Sequence, residues 1–160
     1  MTLRPRITPT ANPGYGWTKK RPSFSLPASS LFSVFLMRIP TQIKLRKASK
    51  TLELEYGPNE RYSLPAEFLR VHSPSAEVQG HGNPVLQTGK VNVALEGVEP
   101  AGQYALKLTF SDGHDSGLYS WDYLDHLSQN QQRLWDDYLQ ALATAGKSRD
   151  PDISPVKLML

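Results

Sequence analysis

The 160 residues contain no cysteine, which removes disulfides, thiolate zinc sites, cysteine-ligated iron–sulfur clusters and cysteine nucleophiles. Any metal would need His, Asp or Glu ligands, and only four histidines are present. Long apolar runs are also missing: the longest, Ser30 to Met37, stops at Arg38, far short of the roughly 20 residues of a membrane span. A soluble, cytoplasmic protein with no membrane partner is the expectation. Acidic residues are absent from residues 1–50, which hold ten Lys or Arg, whereas residues 51–160 hold eight basic against fifteen acidic ones. The high isoelectric point therefore belongs to the front of the chain, and the mildly acidic remainder argues against a nucleic-acid partner.

What is present reads as one domain behind a basic extension. Residues 1–36 carry five prolines among Ser, Thr, Gly and scattered cations, without helical or strand period, and are expected to be a disordered extension, consistent with an over-early start. From Met37 the pattern changes. Ile43 and Leu45, then Leu52, Leu54 and Tyr56, then Tyr62 and Leu64 alternate with charged residues, predicting a three-stranded meander with turns at Lys47–Lys50 and Gly57–Glu60. Pro65 suits a first helical position for a short helix through Arg70, with Phe68 and Leu69 tucked under the sheet. Residues 72–89 read as a long loop. Val91, Val93 and Leu95, a turn over Gly97–Gly102, then Tyr104, Leu106, Leu108 and Phe110 predict a second β pair.

Two C-terminal helices follow. Ser120 is a candidate N-cap for Trp121–Leu127, and Ser128 with Gln131 a candidate capping box for a helix whose stripe is Leu134, Trp135, Tyr138, Leu139 and Leu142, stopped by Gly146. The expected fold class is α+β: a small antiparallel β-sheet, meander plus second β pair, with C-terminal helices packed on it. The domain is expected over residues 37–149. Residues 150–160 form a tail in which Val156–Leu160 is apolar enough to dock.

The densest polar stretch is Phe110–Trp121, holding Asp112, His114, Asp115, Ser116, Tyr119 and Trp121. Asp112 and His114 beside Ser116 suggest a small-molecule enzyme, but sequence neighbours on a turn seldom face one another as a triad requires, so turn-building and local hydrogen bonds are the plainer reading. A metal-binding module could gather His114 with His72 or His81, although no tight two-ligand motif is present. The aromatic residues fit strand and helix periods and read as core.

Four phrases carry a resemblance: Met37-Arg38-Ile39-Pro40; Leu64 to Arg70 followed by Ser73-Pro74-Ser75-Ala76-Glu77; Gly80-His81-Gly82; and Tyr104 through Trp121. From Met37 to about Arg149 the chain resembles the stand-alone bacterial form of the gamma-butyrobetaine hydroxylase-like N-terminal domain, a family of unknown molecular function. The resemblance implies a noncatalytic interaction or accessory domain with an unidentified protein partner, linked to iron–sulfur or oxygenase systems, and a homodimer is one form it allows. Its candidate loop residues are Arg70, His72, Ser73, Ser75, Glu77 and His81. The related oxygenase module takes zinc from three cysteines and a later histidine. The matching positions here are Ser73, Ser75, Val78 and His114, so only the histidine is kept and no zinc or other cofactor is expected.

Overall fold

The computed structural model describes residues 37–153; the basic segment 1–36 and residues 154–160, with the apolar Val156–Leu160, lie outside the described residues. The alternating pattern after Met37 folds as read. Strands β1 (Gln42–Arg46), β2 (Thr51–Gly57) and β3 (Glu60–Pro65) form an antiparallel meander in the order β1-β2-β3. In its middle strand Leu52 lies opposite Leu45 and Leu64, and Leu54 opposite Ile43 and Tyr62. Both leucines are fully buried. Arg38 ties the front of this sheet to the rest by donating to Glu60 and Asp125, each at 2.7 Å, above the Tyr56 ring.

Helix α1 (Ala66–Val71) follows with Pro65 as its N-cap, and all six of its residues are buried. Phe68 and Leu69 enter the core as expected. Burying a whole helix also buries Glu67 and Arg70, and a buried charge requires a partner. Glu67 receives Arg149 through Nε and Nη2 at 2.8 and 2.6 Å, and the Arg70 Nε donates to Asp112 Oδ2 at 2.8 Å. Both partners come from distant parts of the chain.

The segment read as one loop contains helix α2 (Ala76–Gln79) and a 3₁₀ turn (Gly80–Gly82). Ser75 Oγ caps α2 by accepting from the Val78 N–H, and the left-handed Gly80 and His81 end it at φ of +53° and +50°.

The second sheet departs from the reading in two places. Strand β4 covers Leu95–Ala101, so Val91 and Val93 precede it and the supposed turn is itself strand. A bulge between Leu95 and Gly97 absorbs the irregular residue, and Pro100 is tolerated because β4 is an edge strand. The chain turns at Gly102 (φ +63°) into β5 (Ala105–Phe110), and β6 (Leu118–Ser120) pairs with β5 as a third strand. Tyr104, expected inside, is exposed.

Helix α3 (Trp121–Gln129) starts where Ser120 Oγ accepts the Tyr123 N–H at 3.2 Å. Helix α4 (Gln131–Ala145) ends at left-handed Gly146. The proposed capping box does not form: Ser128 Oγ donates to Leu124 O inside α3, and Asn130 leads into α4 without a side-chain cap. On the α4 stripe Tyr138 and Leu142 are buried, Leu134 and Trp135 half-buried, and Leu139 exposed.

One core joins the layers, with Leu52, Leu54 and Leu64 of the first sheet meeting Leu95, Leu106, Leu108 and Phe110 of the second, Phe68 and Leu69 of α1 and Leu124 and Leu127 of α3. The class is therefore α+β, two small antiparallel three-stranded sheets with the longer helices at the C-terminal side. After α4 the chain does not trail off at residue 149. The carbonyls of Ser148 and Arg149 accept from the Gly89 and Val91 N–H groups at 3.0 Å, and the place of a Cβ on Gly89 is 3.3 Å from Pro151. No helix among the described residues is long and apolar enough to cross a membrane.

Candidate functional site

The turn after β5 and the segment after α1 meet. Phe110 N–H donates to His114 O at 2.9 Å and Gly113 N–H to Phe110 O at 3.0 Å, with Gly113 at φ +87°. This closed turn aims the His114 ring at the start of the α1–α2 connection. There Ser73 Oγ lies 2.8 Å from His114 Nε2, and Glu77 Oε1 lies 3.2 Å from Nδ1. A carboxylate can only accept, so Nδ1 carries the proton, Nε2 accepts from the Ser73 hydroxyl, and Ser73 Oγ in turn accepts the Ser75 N–H. Burial and the nearby Arg70 charge push the His114 pKa below its usual value, which keeps the ring neutral in this arrangement.

Hydroxyl, imidazole and carboxylate stand in the order of a nucleophilic triad. Ser73, however, is 0% exposed, and Gly117 closes over it: a Cβ there would overlap the Ser73 hydroxyl and come within 3.3 Å of Pro74 and Tyr119. With this oxygen covered, the cluster forms a buried hydrogen-bonded link between two segments 41 residues apart.

The expected roles of the other residues change with this geometry. Asp112 does not orient the His114 ring. It accepts from the His114 backbone N–H at 3.3 Å, while its Oδ2 binds Arg70 and, at 3.0 Å, Lys90. Burial alone would raise the Asp112 pKa, but the Lys90 and Arg70 hydrogen bonds outweigh it and hold the group below the usual carboxylate range. Arg70 also reaches Gln87. Asp115 and Ser116 are exposed, the former beside Lys107. Tyr119 is fully buried and donates to Leu69 O, and Trp121 donates to Gln103 O, each at 2.7 Å. Glu77 was among the candidate loop residues, whereas Lys90, Gln87 and Gly117 carry no local sequence pattern that marks them as members of these networks.

His72 and His81 do not join His114. His72 Nδ1 lies 2.9 Å from Phe68 O with its ring against Phe68, and His81 is exposed. Among the described residues no group of three or more His, Asp or Glu could hold a metal ion. The donors at the zinc positions of the related module do not fit zinc either: two serine hydroxyls stay protonated at neutral pH, Val78 has no lone pair, and Ser73 and His114 are bonded directly to each other.

Of the concave surfaces that flank α4, two include residues of α1 in their walls. One, of about 270 Å³, has Glu67, Phe68, Trp135 and Arg149 in its wall, with the Arg149 guanidinium 5.0 Å over the Trp135 ring. The other, about 420 Å³, is an apolar groove between α4 and the connection from α1 to β4, lined by Val71, Val78, Val85, Leu86, Leu134 and Tyr138, with Asp137 at its edge. Val85 is 51% exposed there.

The described residues thus form a small α+β domain in which Ser73, His114, Arg70 and Glu67 are paired internally, beside an open apolar groove. The chain belongs to the family described as gamma-butyrobetaine hydroxylase-like, N-terminal, whose model matches residues 43–125. It is similar to two proteins with NMR solution structures. One is 73% identical over 78% of this chain and 100% of that one, with a TM-score of 0.68. The other is 50% identical over 72% and 89%, with a TM-score of 0.61. A crystal structure of a protein of unknown function of the DUF971 family from Acidithiobacillus ferrooxidans is 35% identical over 56% of this chain and 91% of that one, with a TM-score of 0.48. No curated protein matches.

Proposed function

We propose that this chain is a noncatalytic accessory domain that acts by binding another protein, with the groove between α4 and the α1–β4 connection as its docking surface. One observation carries the reading: the only hydroxyl, among the described residues, that has both a base and an orienting acid in place is sealed under Gly117, whereas the groove is open, apolar and rimmed by Asp137. Exposed apolar concavities of this kind are where partners bind. The family resemblance makes iron–sulfur assembly factors and oxygenase components the first partners to test, in a cytoplasmic setting.

Val85→Asp places a charge in the groove at an exposed position, so the fold is expected to survive while docking is lost. Quantitative capture from native lysate with the full chain and with this variant is the test, folding being checked by thermal unfolding. A partner retained by the wild type and depleted by about tenfold or more on Val85→Asp supports the reading, since tenfold corresponds to about 1.4 kcal/mol of binding. Identical partner sets for both proteins overturn it, as does an esterase activity abolished by Ser73→Ala. A homodimer through the same groove would appear as a concentration-dependent sedimentation coefficient lost in the variant.

A further inference from the structure

The polar groups in the groove wall lean to one side of hydrogen-bond chemistry. Five of its side chains carry N–H or O–H donors, and each already donates inside the domain. The Tyr123 hydroxyl donates to His72 O at 2.7 Å, the Tyr138 hydroxyl to Gln87 O at 3.0 Å, the Gln79 amide to Ser73 O at 3.1 Å and the Gln87 amide to Val85 O at 2.9 Å. His72 is the fifth: its Nδ1 lies 2.9 Å from Phe68 O, and because a carbonyl only accepts, Nδ1 carries the proton. Burial, with His126 of α3 acting in the same direction, lowers the His72 pKa and keeps the ring neutral, so Nε2 is a bare lone pair with no partner among the described residues. The one unpartnered side-chain polar atom there that is shut off from solvent is the Tyr56 hydroxyl oxygen; Nε2 therefore keeps solvent contact. Beyond the second N–H of each amide, what the wall still offers an occupant is acceptors.

Charge points the same way. Asp137 is the only ionised side chain in the wall, and no Lys or Arg lines it. The contact of Asp137 with Arg133, one helical turn away at 3.4 Å, joins side chains 62% and 59% exposed, a pair that stabilises little and exchanges readily. The charged groups next to the wall are committed elsewhere, Arg70 to Asp112 and Glu77 to His114. An acidic occupant would set its carboxylates against Asp137 and against lone pairs. We propose that the groove takes a basic amphipathic segment of the partner, with apolar side chains on Val71, Val85 and Leu134, a Lys or Arg at Asp137 and the N–H of a tryptophan indole at His72 Nε2. This partner chemistry rests on the groove being the docking surface.

Three probes of similar shape separate the two contacts: tryptamine has a cation and an indole N–H, 1-methyltryptamine the cation without the N–H, and indole-3-propionate the N–H with a carboxylate. Each is titrated into the isotope-enriched full chain while the amide signals of Val78, Val85, Leu86 and Ala141 are followed. Tryptamine is expected to bind there at least about fivefold more tightly than indole-3-propionate and at least about threefold more tightly than 1-methyltryptamine, as one exposed ion pair and one hydrogen bond supply. Asp137→Asn should erase the first preference. His72→Phe, which keeps a ring and removes the lone pair, should erase the second. Both preferences are read in the wild-type chain, so a variant that fails to fold leaves the test standing. Indole-3-propionate or 1-methyltryptamine binding as tightly as tryptamine overturns the proposal, as do groove signals that no probe shifts. The two readings fail separately: both tryptamine preferences with partner capture insensitive to Val85→Asp keep the groove chemistry and remove the docking surface. Capture lost on Val85→Asp without those preferences does the reverse.

Discussion

Gly117→Ala is expected to be among the most damaging single-methyl additions in this domain. Gly117 is buried and its backbone lies outside the left-handed region, so the argument rests on space alone. Its added Cβ would be closer to Ser73 Oγ than side-chain carbons come to any neighbour, with Pro74 Cδ and Tyr119 Cε2 both at 3.3 Å. Ser73 cannot swing aside freely, because His114 Nε2 and the Ser75 N–H fix its hydroxyl at 2.8 and 3.3 Å. Overpacking of this kind costs about 1 to 3 kcal/mol, and a buried imidazole nitrogen left without its partner about 1 to 3 more. A loss near 3 kcal/mol corresponds to a midpoint lower by roughly 10 to 15 °C for a domain of this size. Urea titration and calorimetry of the full chain measure it. The clash has a specific signature: on a Ser73→Ala background, where the obstructing oxygen is gone, the further cost of Gly117→Ala should fall below about 1 kcal/mol, a coupling expected only of contacting residues. A Gly117→Ala protein within about 0.5 kcal/mol of wild type, or one whose cost is unchanged by Ser73→Ala, would refute the reasoning.

Three further outcomes follow from the buried histidines and from two ion pairs. Both His114 and His72 have pKa values lowered by burial, so the unfolded chain binds protons more readily than the folded one; stability is complete above the ordinary histidine pKa of about 6.5 and falls as pH drops through the lower folded values. Denaturation midpoints between pH 8 and 4.5 should show that decline, shallower in His114→Asn, and a flat profile across the window contradicts the buried neutral ring. Glu67→Gln should cost about 1 to 2 kcal/mol, less than a fully buried pair because Arg149 is 40% exposed while Glu67 is only 9%, whereas Arg133→Gln on the exposed Arg133–Asp137 pair should leave the urea midpoint unchanged.

The meander and the helix that follows it were legible because each strand there has one wet and one dry face, and Pro65 marks the helix start. Pattern failed where backbone chemistry overrode it. Gly97 and Pro100 look like turn residues, yet a bulge and an edge position accommodate both within β4. Ser128 matches a capping signature but spends its hydroxyl on Leu124 O. Helix α2 is four residues long, too short for a hydrophobic period, so its segment read as loop. In the site, the resemblance implied that Ser73, Ser75 and Val78 match the zinc positions that go with His114, and of these Ser73 lies 2.8 Å from the His114 ring. Asp112 takes the local role that the turn reading gave it, accepting the His114 backbone N–H, whereas the ring's acidic neighbour Glu77 lies 37 residues from His114 and nothing local links them.

The full burial of α1 has a consequence for how the chain comes together during synthesis. Glu67 emerges from the ribosome 82 residues ahead of Arg149, and Arg70 emerges 42 residues ahead of Asp112. Packing Phe68 and Leu69 against the first sheet before those counter-charges exist would strand a carboxylate and a guanidinium in an apolar setting, at several kcal/mol each. The meander can therefore pair early through its local hairpins, but α1 is held back from its final seat until the β5–β6 turn and then the segment after α4 arrive. Such long-range closure slows folding. It leaves Phe68 and Leu69 uncovered on a growing chain, which makes the first half of this domain the part most dependent on protection while it is being made.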